Sequence, residues 1–221
     1  MAEDKKDMQV TLLNVRLSFA DMFEPKVQKN EDGTERKTYG ANFLIEKADD
    51  NGNKAKVQAA ANAAKRKKWG DDKAKWPKLK PEKVCLRDGD LENWEGYADM
   101  LYVSANRREA DGPPRVITNR KDADKKWITA RAGEDNCPYA GCYVNAIVRV
   151  WAQDNEHGKR VNASVEAIQF LRDGDSFSGA APINVDEEFS DDMVGEEGSL
   201  GDEDNGGYGD DDDDDGDDSL V

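Results

Sequence analysis

The chain holds one histidine and three cysteines in 221 residues, and its last 39, Ile183 to Val221, contain no lysine or arginine. Each scarcity excludes something. A single histidine leaves no Ser/His/Asp set to assemble, and neither a nucleophile elbow nor a phosphate-binding glycine loop occurs, so no enzyme activity and no cofactor are expected. An odd number of cysteines, behind an opening (Met1 to Lys6) without an apolar segment, argues against a disulfide framework and for a cytosolic protein. No run of 18 apolar residues occurs, so no membrane partner is expected.

What the last 39 residues do hold is acid: 18 Asp or Glu, with six consecutive aspartates at Asp210 to Asp215. Removing those 18 from the 48 acidic residues leaves 30 against 32 basic, so Met1 to Pro182 carries about +2 while the whole chain stands at −16. Low hydrophobicity with uncompensated charge cannot offset the entropy of ordering. The expected organisation is one folded domain over residues 1–182 and a disordered acidic tail over 183–221.

Within the domain, Gln9 to Phe19 alternates, with Leu13, Val15, Leu17 and Phe19 on the apolar face, and Asp21 to Thr38 reads as a loop. Lys37 to Glu46 alternates again through Tyr39, Ala41, Phe43 and Ile45. Asp50 to Asn53 breaks the chain and can cap a helix over Lys54 to Lys68, whose weak stripe is Val57, Ala60, Ala61 and Ala64. Strands are expected at Leu101 to Ala105, Arg115 to Thr118 and Lys126 to Arg131. A long hairpin pairs Tyr143–Trp151 with Arg160–Phe170. About six strands and one principal helix point to a mainly β fold, a small antiparallel barrel with long insertions.

Two segments interleave cations with aromatic rings. Lys65 to Lys83 has nine basic against three acidic residues and includes Trp69 and Trp76; Arg107 to Arg131 has eight against four and includes Trp127. Single-stranded nucleic acid calls for this pairing, because cations neutralise phosphates while rings stack on unpaired bases. Trp94, Tyr97, Tyr102, Trp127, Tyr143 and Trp151 are the stacking candidates. Lys65, Arg66, Lys67, Lys68, Arg107, Arg108, Arg115, Arg120, Lys125, Lys126, Arg131 and Arg149 are the phosphate-contact candidates. Strand phase sets Tyr102 and Ser104 opposite Leu101, Val103 and Ala105, and sets Tyr143, Asn145, Arg149 and Trp151 opposite the hairpin valines. The competing reading is that tryptophans pack the core and lysine-rich stretches are solvated faces.

The acidic tail can act as a competitor for a basic groove, displaced when DNA arrives, or simply as a solubility tail. Its tip, Asp217, Asp218, Leu220 and Val221, combines charge with an apolar hook suited to a partner protein. A flexible aspartate run lacks the preorganised ligands of a calcium site. Cys85, Cys137, Cys142 and His157 are a weak match to zinc-ligand spacing and read as buried reduced thiols, so no metal is expected. Asp88, Asp90, Asp173 and Asp175, in the twice-occurring Leu-Arg-Asp-Gly-Asp, could collect Mg²⁺ for a nuclease, although no nearby lysine supports it. A rival from another class is an acidic DNA mimic sequestering a basic host protein; it calls for acid spread over the folded body, which is near neutral.

Asn14-Val15-Arg16-Leu17-Ser18-Phe19-Ala20-Asp21-Met22-Phe23-Glu24-Pro25-Lys26 resembles the opening of a group of phage-encoded single-stranded DNA-binding proteins. Tyr139-Ala140-Gly141-Cys142-Tyr143, with the hairpin through Ile168 to Asp175, resembles their closing segment. The resemblance spans roughly residues 9–182. It implies an OB-fold barrel, nonspecific single-stranded DNA binding in phage replication or recombination, and an acidic tail that contacts replication proteins (a polymerase, helicase or primase) in the host cytoplasm. A homodimer is a further partner to test. No individual DNA-contacting residue carries over, and the Leu-Val end departs from better-known tails, which end in Phe.

Overall fold

The computed structural model describes residues 7–29, 33–49 and 51–177. The acidic segment from Ile183 onward, with the Asp217–Val221 tip, lies outside the described residues.

Strand β1 (Gln9–Lys29) pairs antiparallel with β2 (Glu35–Glu46) on one edge and with β7 (Tyr143–Asn155) on the other. β2 continues to β4 (Met100–Arg108), and β7 to β8 (Gly158–Arg172). A parallel contact between β4 and β8, Ala105 opposite Ala163, closes the ring. Five strands thus form a closed barrel of OB type. β3 (Leu86–Asp88) extends β4, while β5 (Arg115–Lys121) and β6 (Trp127–Thr129) extend β8. Eight strands are described where about six were expected: the segments read as strands become β1, β2 and β4 to β8, and the added one is β3, three residues too short to alternate.

β1 departs from its simple reading in two ways. It does not stop at Phe19: residues 26–29 pair with 35–38, so an arm of two strands replaces part of the expected loop. Its phase also slips, because Asn14 (φ 50°) and Phe19 (φ 49°) adopt left-handed backbone beside register shifts. Val10, Leu12, Val15 and Leu17 enter the barrel, whereas Leu13 and Phe19 face out. A bulge lets an apolar residue change sides without breaking the strand.

The bulge is supported by the helix. Asn53, fully buried at the start of α1 (Asn53–Trp69), accepts the Leu13 N–H (2.9 Å) and donates to the Leu13 carbonyl (3.0 Å), replacing the missing ladder bonds. The helix N-cap is Gly52, within the expected Asp50–Asn53 segment and in a left-handed turn; its own side chain can cap nothing, and the Asp49 carboxylate accepts the Lys54 N–H at 2.8 Å instead. Val57, Ala60 and Ala64 then bury one stripe against the barrel, and the Trp69 indole donates to Asp154 (2.8 Å) on β7. Among the described residues, no helix is long and apolar enough to cross a membrane.

The core fills the barrel with Leu12, Leu17, Phe43, Val103, Val144, Val148, Val165 and Ile168. A second apolar cluster, Leu44, Tyr97 and Tyr102 with Met100 and Phe177 against it, lies on the other side of the β2–β4 pair. These two strands are therefore buried on both faces, and the segment from Gly89 to Asp99 provides the outer cover.

Candidate nucleic-acid interface

The outer cluster has one open side. Phe19 and Trp94 are 44 % and 42 % exposed, and their rings meet edge to face at 4.9 Å. Beneath them Tyr97 lies 5.0 Å from Trp94, and Tyr102 5.1 Å from Tyr97. Both tyrosines are fully buried, which corrects their selection as stacking residues. Strand phase did place Tyr102 outside the barrel, but the 89–99 segment covers it. The tyrosines instead form a rigid floor: Asn42 donates to the Tyr97 hydroxyl (2.8 Å), and Tyr102 donates to Glu92 (2.5 Å). Burial, reinforced by the Glu92 hydrogen bond, pushes the Tyr102 hydroxyl up to about 12, and burial raises Tyr97 as well.

The turn that carries Trp94 closes tightly on itself. A Cβ at Gly89 would collide with the Tyr97 carbonyl, and Met100 N–H donates to that same carbonyl (3.1 Å). Lys47 bridges Asp88 (3.0 Å) and Asp90 at the base of the turn; these bonds hold the Lys47 ammonium above its ordinary range and Asp90 below its own. Phe19 was missed from sequence because simple alternation assigns it to the core with Val15 and Leu17, and the left-handed backbone at Phe19, at the register shift between Ser18 and Asp21, turns it out.

The other stacking candidates lie apart, with no ring contact to this cluster among the described residues. Trp151 is exposed on β7. Trp127 is exposed on β6 with the Lys121 ammonium 4.5 Å over its ring. Tyr143 is half-buried and already stacked by the Arg172 guanidinium at 3.4 Å, so one of its faces is taken.

The cations divide the same way. Arg107 donates to Glu166 (2.8 Å) and to the carbonyls of Gly112 and Asp111, and Arg149 approaches the same Glu166 at 3.9 Å. Both braces lie where β4, β8 and β7 meet, so the structure uses Arg107 for closure rather than leaving it free for phosphate. Arg108 is bidentate on Asp111, Arg131 pairs with Glu134, Lys126 with Asp124, and Arg66 with Asp71, all at the surface where such pairs exchange readily. Lys65 sits 5.8 Å over the Trp76 ring, and Arg66, Lys67 and Lys68 are exposed on the last turn of α1. Arg115, Arg120 and Lys125 are exposed and make no ion pair among the described residues. Two cations that sequence reading passed over flank the platform: Arg87, 6.0 Å over Tyr102, and Arg16.

Cys85 and Cys142 are buried thiols, raised by burial to about 11 and about 12, and burial raises half-buried Cys137 too. His157 sits in the exposed β7–β8 turn. Asp88 and Asp90 face Lys47, Asp173 bonds the Tyr139 hydroxyl, and Asp175 lies 3.9 Å from Arg16. Among the described residues no group of three or more His, Cys, Asp or Glu is placed to hold a metal.

The ssDNA-binding protein from bacteriophage Enc34, solved in complex with ssDNA, superposes with a TM-score of 0.61 at 23 % identity, covering 78 % of this chain and 90 % of that one. The same Enc34 protein in a second structure gives a TM-score of 0.59 at 22 % identity, over 83 % and 89 % of the two chains. At these identities the likeness establishes the OB-type fold. "Putative protein p50" of Acyrthosiphon pisum secondary endosymbiont phage 1 is 39 % identical over 197 residues, 87 % of this chain and 98 % of that protein. The family described as "Enterobacter phage Enc34, ssDNA-binding protein" matches residues 8–199. With both matches spanning most of its length, this chain belongs to the Enc34 family of phage ssDNA-binding proteins.

Proposed function

We propose that the protein binds single-stranded DNA without sequence preference, in phage DNA replication and recombination. The observation that carries this is the exposed Phe19–Trp94 pair on a sealed tyrosine floor. It lies over the second and third barrel strands, the face on which OB-folds take oligonucleotides. Bases stack on Phe19 and Trp94, with Trp127 and Trp151 as further stations. Arg66, Lys67, Lys68, Arg115, Arg120 and Lys125, which are exposed, line the phosphate path. Family membership and the Enc34 fold solved with ssDNA support the reading.

The acidic tail over 183–221 is proposed to compete with DNA for these cations and, through Asp217, Asp218, Leu220 and Val221, to recruit a replication polymerase, helicase or primase. The setting is the host cytoplasm, and self-association as a homodimer belongs to the same test. Binding of labelled oligo-dT and of duplex of equal length is titrated across salt. The expected result is preference for the single strand, quenched tryptophan fluorescence, and a slope of about −0.7 per neutralised phosphate. Equal affinity for the duplex would overturn the proposal.

A further inference from the structure

The segment that follows β8, Asp173 to Phe177, is fastened back onto the barrel at several points. The Tyr139 hydroxyl lies 3.1 Å from Asp173 Oδ1 and 2.9 Å from the Gly174 carbonyl, and accepts the Gly174 N–H. Gly141 and Gly174 let two backbones touch: a Cβ on Gly141 would strike the Asp175 carbonyl, and one on Gly174 the Gly141 carbonyl. Arg16 staples both, donating from Nε to Gly141 (3.0 Å) and from Nη2 to the Asp175 carbonyl (2.7 Å). The Phe177 N–H then donates to Ala140 (3.2 Å).

All of this delivers one ring to one place. Phe177 lies under the Arg16 guanidinium at 4.3 Å and packs against the Tyr97–Tyr102 cluster. An edge of the ring meets Gly96, where any Cβ would collide with it and where φ is +75°. Gly96 belongs to the turn that presents Trp94, closed by the Tyr97 N–H to the Trp94 carbonyl (3.3 Å). Lys47 anchors the start of that turn, whereas Phe177 is the wall behind its end.

We infer that Phe177 is a positioning residue: by wedging against Gly96 it holds Trp94 in the orientation that stacks on a base. This rests on the stacking reading proposed above. Without the ring, Gly96 regains its conformational freedom and the exposed indole loses its fixed pose.

The test uses the full-length chain with Phe177→Ala. In the free protein the Trp94 indole N–H resonance, assigned through Trp94→Phe, is expected to shift or broaden while the global unfolding transition persists. Oligo-dT affinity should fall about fivefold with the salt slope unchanged, since a ring and no phosphate contact is affected. In a Trp94→Ala background the same change should cost nothing further, and Phe177→Tyr should restore binding. An unmoved indole resonance, additive losses, or tighter binding (which would make Phe177 a plug in a base site) would each overturn the inference. Phe177→Leu, which keeps an apolar side chain but loses the ring atoms that meet Gly96, carries the same measurements and the same expected outcomes should the alanine variant unfold. Wild-type affinity in Trp94→Ala would instead sink the stacking reading, and the indole resonance still decides whether Phe177 holds the turn.

Discussion

Trp94 and Tyr102 lie 6.1 Å apart yet face opposite tasks. Trp94 is 42 % exposed and meets Phe19, Tyr97 and Tyr102 in T-shaped contacts. Trp94→Ala is expected to weaken oligo-dT binding by roughly 1–3 kcal/mol, the worth of one stacked base, with little change in melting temperature. Fluorescence anisotropy and a thermal melt check the two halves. Tyr102 is buried, and burial, reinforced by the Glu92 hydrogen bond, pushes its hydroxyl up to about 12 against about 10 for an unfolded tyrosine. Between those values the native state keeps a proton that the unfolded state has lost. The associated stability is therefore complete below about pH 10 and lost as the pH rises toward 12. Near-ultraviolet absorbance should show a late-ionising tyrosine that Tyr102→Phe removes.

At the scale of elements, the junction of β1 and α1 explains how a flawed strand remains stable. The bulge at Leu13 and Asn14 removes ladder bonds, and the buried Asn53 amide supplies them. Asn53→Ala leaves the part-buried Leu13 N–H and carbonyl without their partner, so a loss of roughly 1–3 kcal/mol is expected, part of the full penalty for two fully buried groups. Urea unfolding measures it, and Asn53→Asp, which keeps only the acceptor, should fall between. The helix itself was legible from its Ala, Lys and Gln content and its 3.6-residue stripe. The bulge was not, because a left-handed φ at Asn14 and Phe19 leaves no mark in an apolar/polar pattern. The second slip, at Phe19 between Ser18 and Asp21, hid that ring from the list of candidates. The tyrosines failed for a related reason: period-two phase says which side of a sheet a side chain takes, and not whether another segment covers that side.

For the whole molecule, the relevant quantity is the split of charge, about +2 over residues 1–182 against 18 uncompensated acids after them. A tethered polyanion competes with DNA through an effective concentration, and salt screens both rivals. Deleting Ile183 to Val221 is expected to tighten oligo-dT binding at low salt, with the gap closing as salt rises. Identical salt curves for the two proteins would remove the competition while leaving partner recruitment to be tested by pull-down. Barrel closure belongs to this scale too. Ala105 opposite Ala163 joins strands 58 positions apart, and Arg107 and Arg149 converge on Glu166 beside them. Nothing local in either strand announces that meeting, which is why Arg107 read as a free cation.

Sequence alone determined the charge partition, the helix, the β7–β8 hairpin and the class of ligand that cations interleaved with rings suit. These rest on local periodicity and composition, which are written residue by residue. Tertiary structure alone decided which rings face solvent and which cations are already paired. Exposure and pairing depend on contacts between residues far apart in the chain, such as Phe19 with Trp94 and Arg107 with Glu166. A one-dimensional pattern can propose such partners but cannot bring them together.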